Sequence, residues 1–198
     1  MLMKSFTRIV LLLGLMLSLG ILPAVAVPIV SITPSSVVVP PGQNFSLDIS
    51  VTDAVDLYAF QFDLSFDPTI LSAGSITEGP FLPAGGATFF IPGTIDNATG
   101  AITFTADTLQ TAIVGVNGNG TLATVDFQAL GVGTSLVALS NVILLDSALG
   151  DITASTADGS VTVRQPVTGV PEPSTWLLLV TGCVGSLSYG WRHRKRAA

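Results

Sequence analysis

The chain has 198 residues, 10% of them charged and 48% hydrophobic, and a formal net charge of −6. Twelve of its thirteen acids but only one base, Arg164, fall between residues 27 and 169; that stretch carries −11, which excludes nucleic acid as a partner and disfavours anionic headgroups. The same stretch has no histidine, cysteine or lysine, which removes serine–histidine and cysteine–histidine nucleophiles, Schiff-base lysines and nearly all zinc or redox-metal sites.

The first 26 residues have the three parts of a secretory signal. Lys4 and Arg8 form a positive start, Ile9 to Leu22 an uncharged apolar core, and Ala24-Val25-Ala26 a small-residue cleavage site preceded by Pro23. A permanent anchor is the competing reading, but a core of 14 residues is short for a span of about 20. Cleavage after Ala26 is expected.

Residues 27–166 read as strands and turns. Phe45 to Thr52 alternates apolar and polar without a break. Phe60, Phe62, Leu64 and Phe66 alternate with Gln61, Asp63, Ser65 and Asp67; Ile102, Phe104 and Ala106 do so against threonines and Asp107. Ala123, Val125, Phe127 and Ala129 alternate with Thr124, Asp126 and Gln128, and Val161 with Val163 marks a last short strand. Period-two alternation means one face buried and one solvated, as in antiparallel sheets. Turn clusters separate the strands: Pro40-Pro41-Gly42-Gln43, Ala84-Gly85-Gly86, Asp96 to Gly100, Asn117-Gly118-Asn119-Gly120 and Asp158-Gly159. The expectation is an all-β, two-sheet sandwich.

The run Leu57 to Leu71, LYAFQFDLSFDPTIL, resembles the cohesin domain, in which an alternating apolar strand enters an aromatic-Asp-Pro turn followed by a leucine. Gly120 to Phe127 is similar to a later cohesin strand, with Gly133 and Val142 to Asp146 following in order. The resemblance covers most of residues 28 to 164. It implies a jelly-roll β-sandwich of about nine strands acting as a non-catalytic, protein-binding module, with dockerins as the partner the family name suggests. No partner-contacting residue transfers, because those positions follow no motif.

The last 29 residues begin with Val170-Pro171-Glu172-Pro173-Ser174-Thr175, held extended by its prolines. An uncharged stretch from Trp176 to Trp191 follows, and Arg192, Arg194, Lys195 and Arg196 close the chain as a membrane stop. The positive-inside rule leaves the basic end cytoplasmic and everything before Pro171 outside. The order of parts resembles the PEP-CTERM sorting signal of Gram-negative bacteria that make extracellular polysaccharide. That resemblance implies recognition of Pro171, Glu172 and Pro173 by an exosortase-type processing enzyme, with a transient transmembrane helix in residues 167–198. An ordinary C-terminal membrane helix explains the apolar stretch and basic tail but not the triplet.

Other chemistries have weaker support. Asp48, Asp63, Asp67 and Asp126 fall on polar strand faces or turns, where solvated acids are expected rather than a glycosidase pair. Calcium needs only oxygens, and Asp96 with Asn97 and Asp146 with Asp151 are candidate ligands, but their spacing matches no calcium loop and turn formation accounts for them. Phe81, Phe89 and Phe90 lie in a loop-rich region, where exposed aromatics would suit a sugar. The overall expectation is an exported surface or matrix protein without enzymatic activity. Its partner is an unidentified surface protein, with carbohydrate binding within exopolysaccharide as the alternative.

Overall fold

The computed structural model describes residues 26–111, 114–166 and 181–184. The chain divides into two units after Arg164. In the second unit residues 181–184 are helical and exposed. Among the described residues no helix is long and apolar enough to cross a membrane. Ala26 is exposed coil just before the first strand. The rest of the expected signal segment, and the expected sorting segment apart from residues 181–184, lie outside the described residues.

The first unit is built from β1 (Ile29–Thr33), β2 (Ser36–Val39), β3 (Asn44–Leu57), β4 (Ala59–Ser65), β5 (Leu71–Glu78), β6 (Thr94–Asp96), β7 (Ala101–Thr108), β8 (Val116–Ala129), β9 (Gly133–Leu145), β10 (Ser155–Ala157) and β11 (Gly159–Val163). A 3₁₀ turn, Leu82–Ala84, carries Pro83 at its second position. The strands form two sheets, ordered β10-β1-β3-β8-β5 and β2-β11-β9-β4-β7-β6. All pairings are antiparallel except β1 with β10 and β2 with β11. The expected sandwich is present, with eleven strands among the described residues instead of about nine. The surplus comes from short edge strands such as β6 and β10, three residues each, too brief to show alternation.

Alternating side chains from both sheets meet in one core. Leu47, Ile49 and Val51 of β3 face Phe60, Phe62 and Leu64 of β4, with Val125 and Phe127 of β8 beside them, all buried. Phe127 stacks on Phe45 at 5.8 Å and meets Phe66 edge-on at 5.3 Å, a favoured geometry for aromatic pairs. Burying each such side chain contributes about 1.5–3 kcal/mol. The Asp67-Pro68 turn closes β4 as expected. Asp67 Oδ1 accepts the Thr69 N–H and hydroxyl at 2.9 and 2.6 Å, and Ile70 and Leu71 tuck back into the core.

Two expectations about strand pattern fail, both through bulges. In β7 the alternation was expected to bury Phe104 and Ala106. Instead the register slips opposite Asp63 of β4, Phe104 adopts a positive φ of 59°, and its ring is 53% exposed. The slip reverses the face of all that follows, so Thr105 and Asp107 point inward. The run Asn117-Gly118-Asn119-Gly120 was expected to be a turn and is instead part of β8. Its partner strand β3 is bulged at Asp53 and Asp56, both at φ 55°, and their N–H groups donate to Asn119 Oδ1 at 2.7 Å and Asn117 Oδ1 at 2.8 Å. These asparagines satisfy backbone donors that a regular ladder would have paired.

Candidate docking face

The outer faces of the two sheets differ in chemistry. On the five-stranded sheet the outward positions of β3, β8 and β5 are hydroxyls and carboxylates bonded to one another. Asp126 accepts the hydroxyls of Ser46 and Ser75, both at 2.7 Å, and Asp48 accepts that of Thr124 at 2.6 Å. The two serine hydroxyls hold the Asp126 carboxyl below the usual carboxylate range. This network cross-links three strands.

The six-stranded sheet presents an apolar groove across β9, β4 and β7. Its floor includes Ala59 and Gln61 of β4, Ala106 of β7, and Ile143 and Leu145 of β9. One wall is a strap, residues 88–91, that runs beside β7 as an added edge strand. The Phe89 N–H donates to Thr108 O at 2.8 Å and the Ile91 N–H to Ala106 O at 2.7 Å. Alternation along the strap turns Phe90 onto the core and Phe89 and Ile91 toward the groove. The other wall is Leu149, at the tip of a hairpin in which Asp146 Oδ1 accepts the N–H groups of Ala148 and Gly150 at 2.9 and 2.7 Å. Phe89 is 57% exposed, Leu149 67% and Ile143 43%. These exposed side chains give the groove an apolar rim. Of the loop phenylalanines expected at the surface only Phe89 is exposed; Phe81 is buried and Phe90 half-buried.

Beneath the strap lies Asp107, 2% exposed, which the alternation of β7 had placed outside. Its Oδ1 accepts the Thr108 N–H at 2.8 Å, and its Oδ2 has no hydrogen-bond partner. Burial first, and then the neighbouring carboxylate of Glu78 at the end of β5, raise the Asp107 carboxyl to about 7. Glu78 Oε1 in turn accepts the Thr88 hydroxyl at the start of the strap.

The calcium candidates are occupied with turns. Asp96 accepts the Ala98 N–H at 2.9 Å and the Thr99 hydroxyl at 2.7 Å, while Asn97 pairs with both the N–H and the carbonyl of Ala73. Asp146 and Asp151 belong to one hairpin, joined through the Leu145–Asp151 bridge. Among the described residues no three acids, histidines or cysteines gather as a metal site. Pro171, Glu172, Pro173 and the basic residues Arg192, Arg194, Lys195 and Arg196 lie outside the described residues, as does Ala24.

The outer faces of the two sheets thus differ, one polar and hydrogen-bonded, the other carrying an apolar groove. The cohesin-domain family model matches residues 30–163, and the chain belongs to that family, whose domains are non-catalytic protein-interaction modules. Cellulose-binding protein A of Clostridium cellulovorans is 27% identical over 161 residues, which covers 79% of this chain but 8% of that much longer protein. Among solved structures, a non-cellulosomal cohesin of Archaeoglobus fulgidus superposes with a TM-score of 0.57 at 13% identity, over 71% of this chain and 93% of that one. The OlpC cohesin of Clostridium thermocellum, in complex with a dockerin, gives 0.58 at 13% identity over 74% and 99%. CaCohA2 of Clostridium acetobutylicum gives 0.56 at 19% over 70% and 91%. At these identities the structural likeness speaks for the fold alone.

Proposed function

We propose that this chain is an exported, cell-surface or matrix-associated cohesin module whose groove on β9, β4 and β7 docks the apolar face of a helical, dockerin-like partner. The observation that carries this is the groove itself, a half-open apolar channel between Phe89 and Leu149 on an otherwise acidic body. Desolvating such side chains against a matching ridge drives association, while the −11 body favours a partner with basic flanks. Cohesins of similar fold have been solved with dockerins bound. Export rests on the composition of residues 1–26, and processing by an exosortase-type enzyme in a Gram-negative host rests on Pro171-Glu172-Pro173 and the segments after it.

Calorimetry of the secreted protein against a panel of purified dockerin modules tests the docking. Saturable binding lost on Leu149→Asp supports it, and no binding by any module overturns the dockerin assignment. Glycan binding, the second reading, would use a different surface, on the opposite sheet. There Gly74 leaves a shallow hollow beside Asn44, Ser72 and Gln128, floored by half-buried Phe45. Retention on polysaccharide, abolished by Gly74→Val and indifferent to Leu149→Asp, would favour that reading.

A further inference from the structure

The strap that walls the groove is tied down at its root by two acids from different sheets. Glu78 ends β5 in one sheet and Asp107 lies near the end of β7 in the other. The segment between Glu78 and Thr88 loops away through Gly79, the 3₁₀ turn and Gly86, then returns so that the Thr88 hydroxyl donates to Glu78 Oε1. From there Phe89 and Ile91 pair with β7 on either side of Asp107, through the carbonyls of Thr108 and Ala106. The buried Asp107 Oδ2 has no donor of its own, and Glu78 is the carboxylate that neighbours Asp107.

We propose that a proton held on Asp107 and donated in a hydrogen bond to Glu78 clasps the strap, so that docking in the groove is strongest when the proton is held and weakens as pH rises. With the proton present, Asp107 Oδ2–H donates to a Glu78 carboxylate oxygen and the orphan oxygen is satisfied. When it leaves to solvent, two adjacent carboxylates remain, one of them out of water, and their repulsion is relieved by moving Glu78, and Thr88 with it, away from β7. The Asp107 carboxyl, raised to about 7, places that loss near neutrality.

Among the described residues, the elements around the pair offer no other charge to compensate. Across the ladder β4 presents Phe60 opposite Asp107, and β8 presents Ala123 opposite Glu78. The strap brings Thr88, Phe89, Phe90 and Ile91, none of them ionisable. Tyr58, which precedes β4, directs its hydroxyl to Thr111 O at 3.1 Å. Asp63 of β4 and Asp56 of β3 bond elsewhere, Asp63 to Phe104 and Asn141 and Asp56 to Gly115 and Ser147. Arg164, the one base of the body, follows β11, three strands from β7 in the same sheet.

The effect on docking rests on the groove being the docking site; the loosening of the strap does not. Amide hydrogen exchange of the full-length protein therefore reads the clasp without a partner. From about pH 5 to about pH 8 the protection of the Phe89 and Ile91 amides is expected to fall at least tenfold relative to Leu47 and Val125, after correction for intrinsic exchange. Asp107→Asn, whose amide donates to Glu78 without titrating, is expected to abolish that fall, and Glu78→Gln serves the same purpose if the first variant folds poorly. An unchanged ratio in the native protein, or an equal fall in both variants, overturns the clasp. If the strap loosens with pH while dockerin capture ignores Leu149→Asp, the clasp stands and the docking assignment fails.

Discussion

Asp63 holds Phe104 on the outside of the sandwich: its Oδ1 accepts the Phe104 N–H at 2.7 Å, while its Oδ2 accepts the Asn141 side-chain amide at 2.5 Å. Asn141 sits at a positive φ of 49° in β9, so one carboxylate in the central strand secures a bulge on each neighbour. Removing it leaves both irregularities without their anchor. Asp63→Ala is expected to lower stability by about 2 kcal/mol in urea unfolding, the range for hydrogen bonds to a charged group. Asp63→Asn should lose less, because one amide oxygen can still accept the Phe104 N–H.

Stability should depend on pH in two opposite ways. Asp107 is raised to about 7, so the folded state holds a proton that the unfolded chain releases above about 4; its contribution is full below that and declines as pH climbs toward 7. Asp56, Asp67, Asp96 and Asp126 are lowered, chiefly by hydroxyl donors from Ser147, Thr69, Thr99 and Ser46, and their contribution is lost as pH falls below about 4. Urea midpoints measured across the range should peak in mild acid, between about pH 4 and pH 5. Asp107→Asn should flatten the decline on the alkaline side only.

Two glycines separate backbone conformation from crowding. Gly42 has φ 83° with open space around it, whereas at Gly100, φ 72°, an added Cβ would lie 2.1 Å from the carbonyl oxygen of Phe66. Gly42→Ala should cost about 1 kcal/mol, the left-handed penalty alone. Gly100→Ala should cost about 3 kcal/mol, because the Phe66 carbonyl accepts no displacement without breaking the turn after β4. Thermal unfolding of both variants gives the comparison.

The alternating strands were legible because each buries one face along a regular ladder. Leu47, Ile49, Phe62, Leu64, Val125, Phe127, Val161 and Val163 are all buried where period two put them. What was hidden depends on pairs far apart in the chain. The reversal in β7 is set by Asp63, 41 residues before Phe104. The Asn-Gly run has turn composition, and only the bulges of β3 explain why it stays extended. Of the groove walls, Phe89 was legible as a loop aromatic, but Leu149 opposite it was not, because the two line one groove only after the sheet has formed.

Substitutions on those walls should separate binding from folding. Phe89→Ser and Leu149→Asp are expected to weaken dockerin capture at least tenfold, as for anchors in a desolvated contact. Both side chains are largely exposed, so the melting temperature should stay within about 2 °C of the parent.

The terminal segments predict a shorter mature protein. Mass spectrometry of material recovered from the host's surface or medium should find an N-terminus at Val27 and a C-terminus near Pro171. Glu172→Ala should leave the tail uncut, and a mature product ending at Ala198 would sink the sorting assignment.

β11 lies inside its sheet, between β2 and β9, and its Val161 pairs with Val37 at the other end of the body. The second sheet therefore cannot close until residue 163 has been delivered, whether by the ribosome or across a membrane. Strand pairings this distant make folding slow, and the chain meanwhile stays threadable. A protein assembled in this order completes its second sheet only when its last strand arrives.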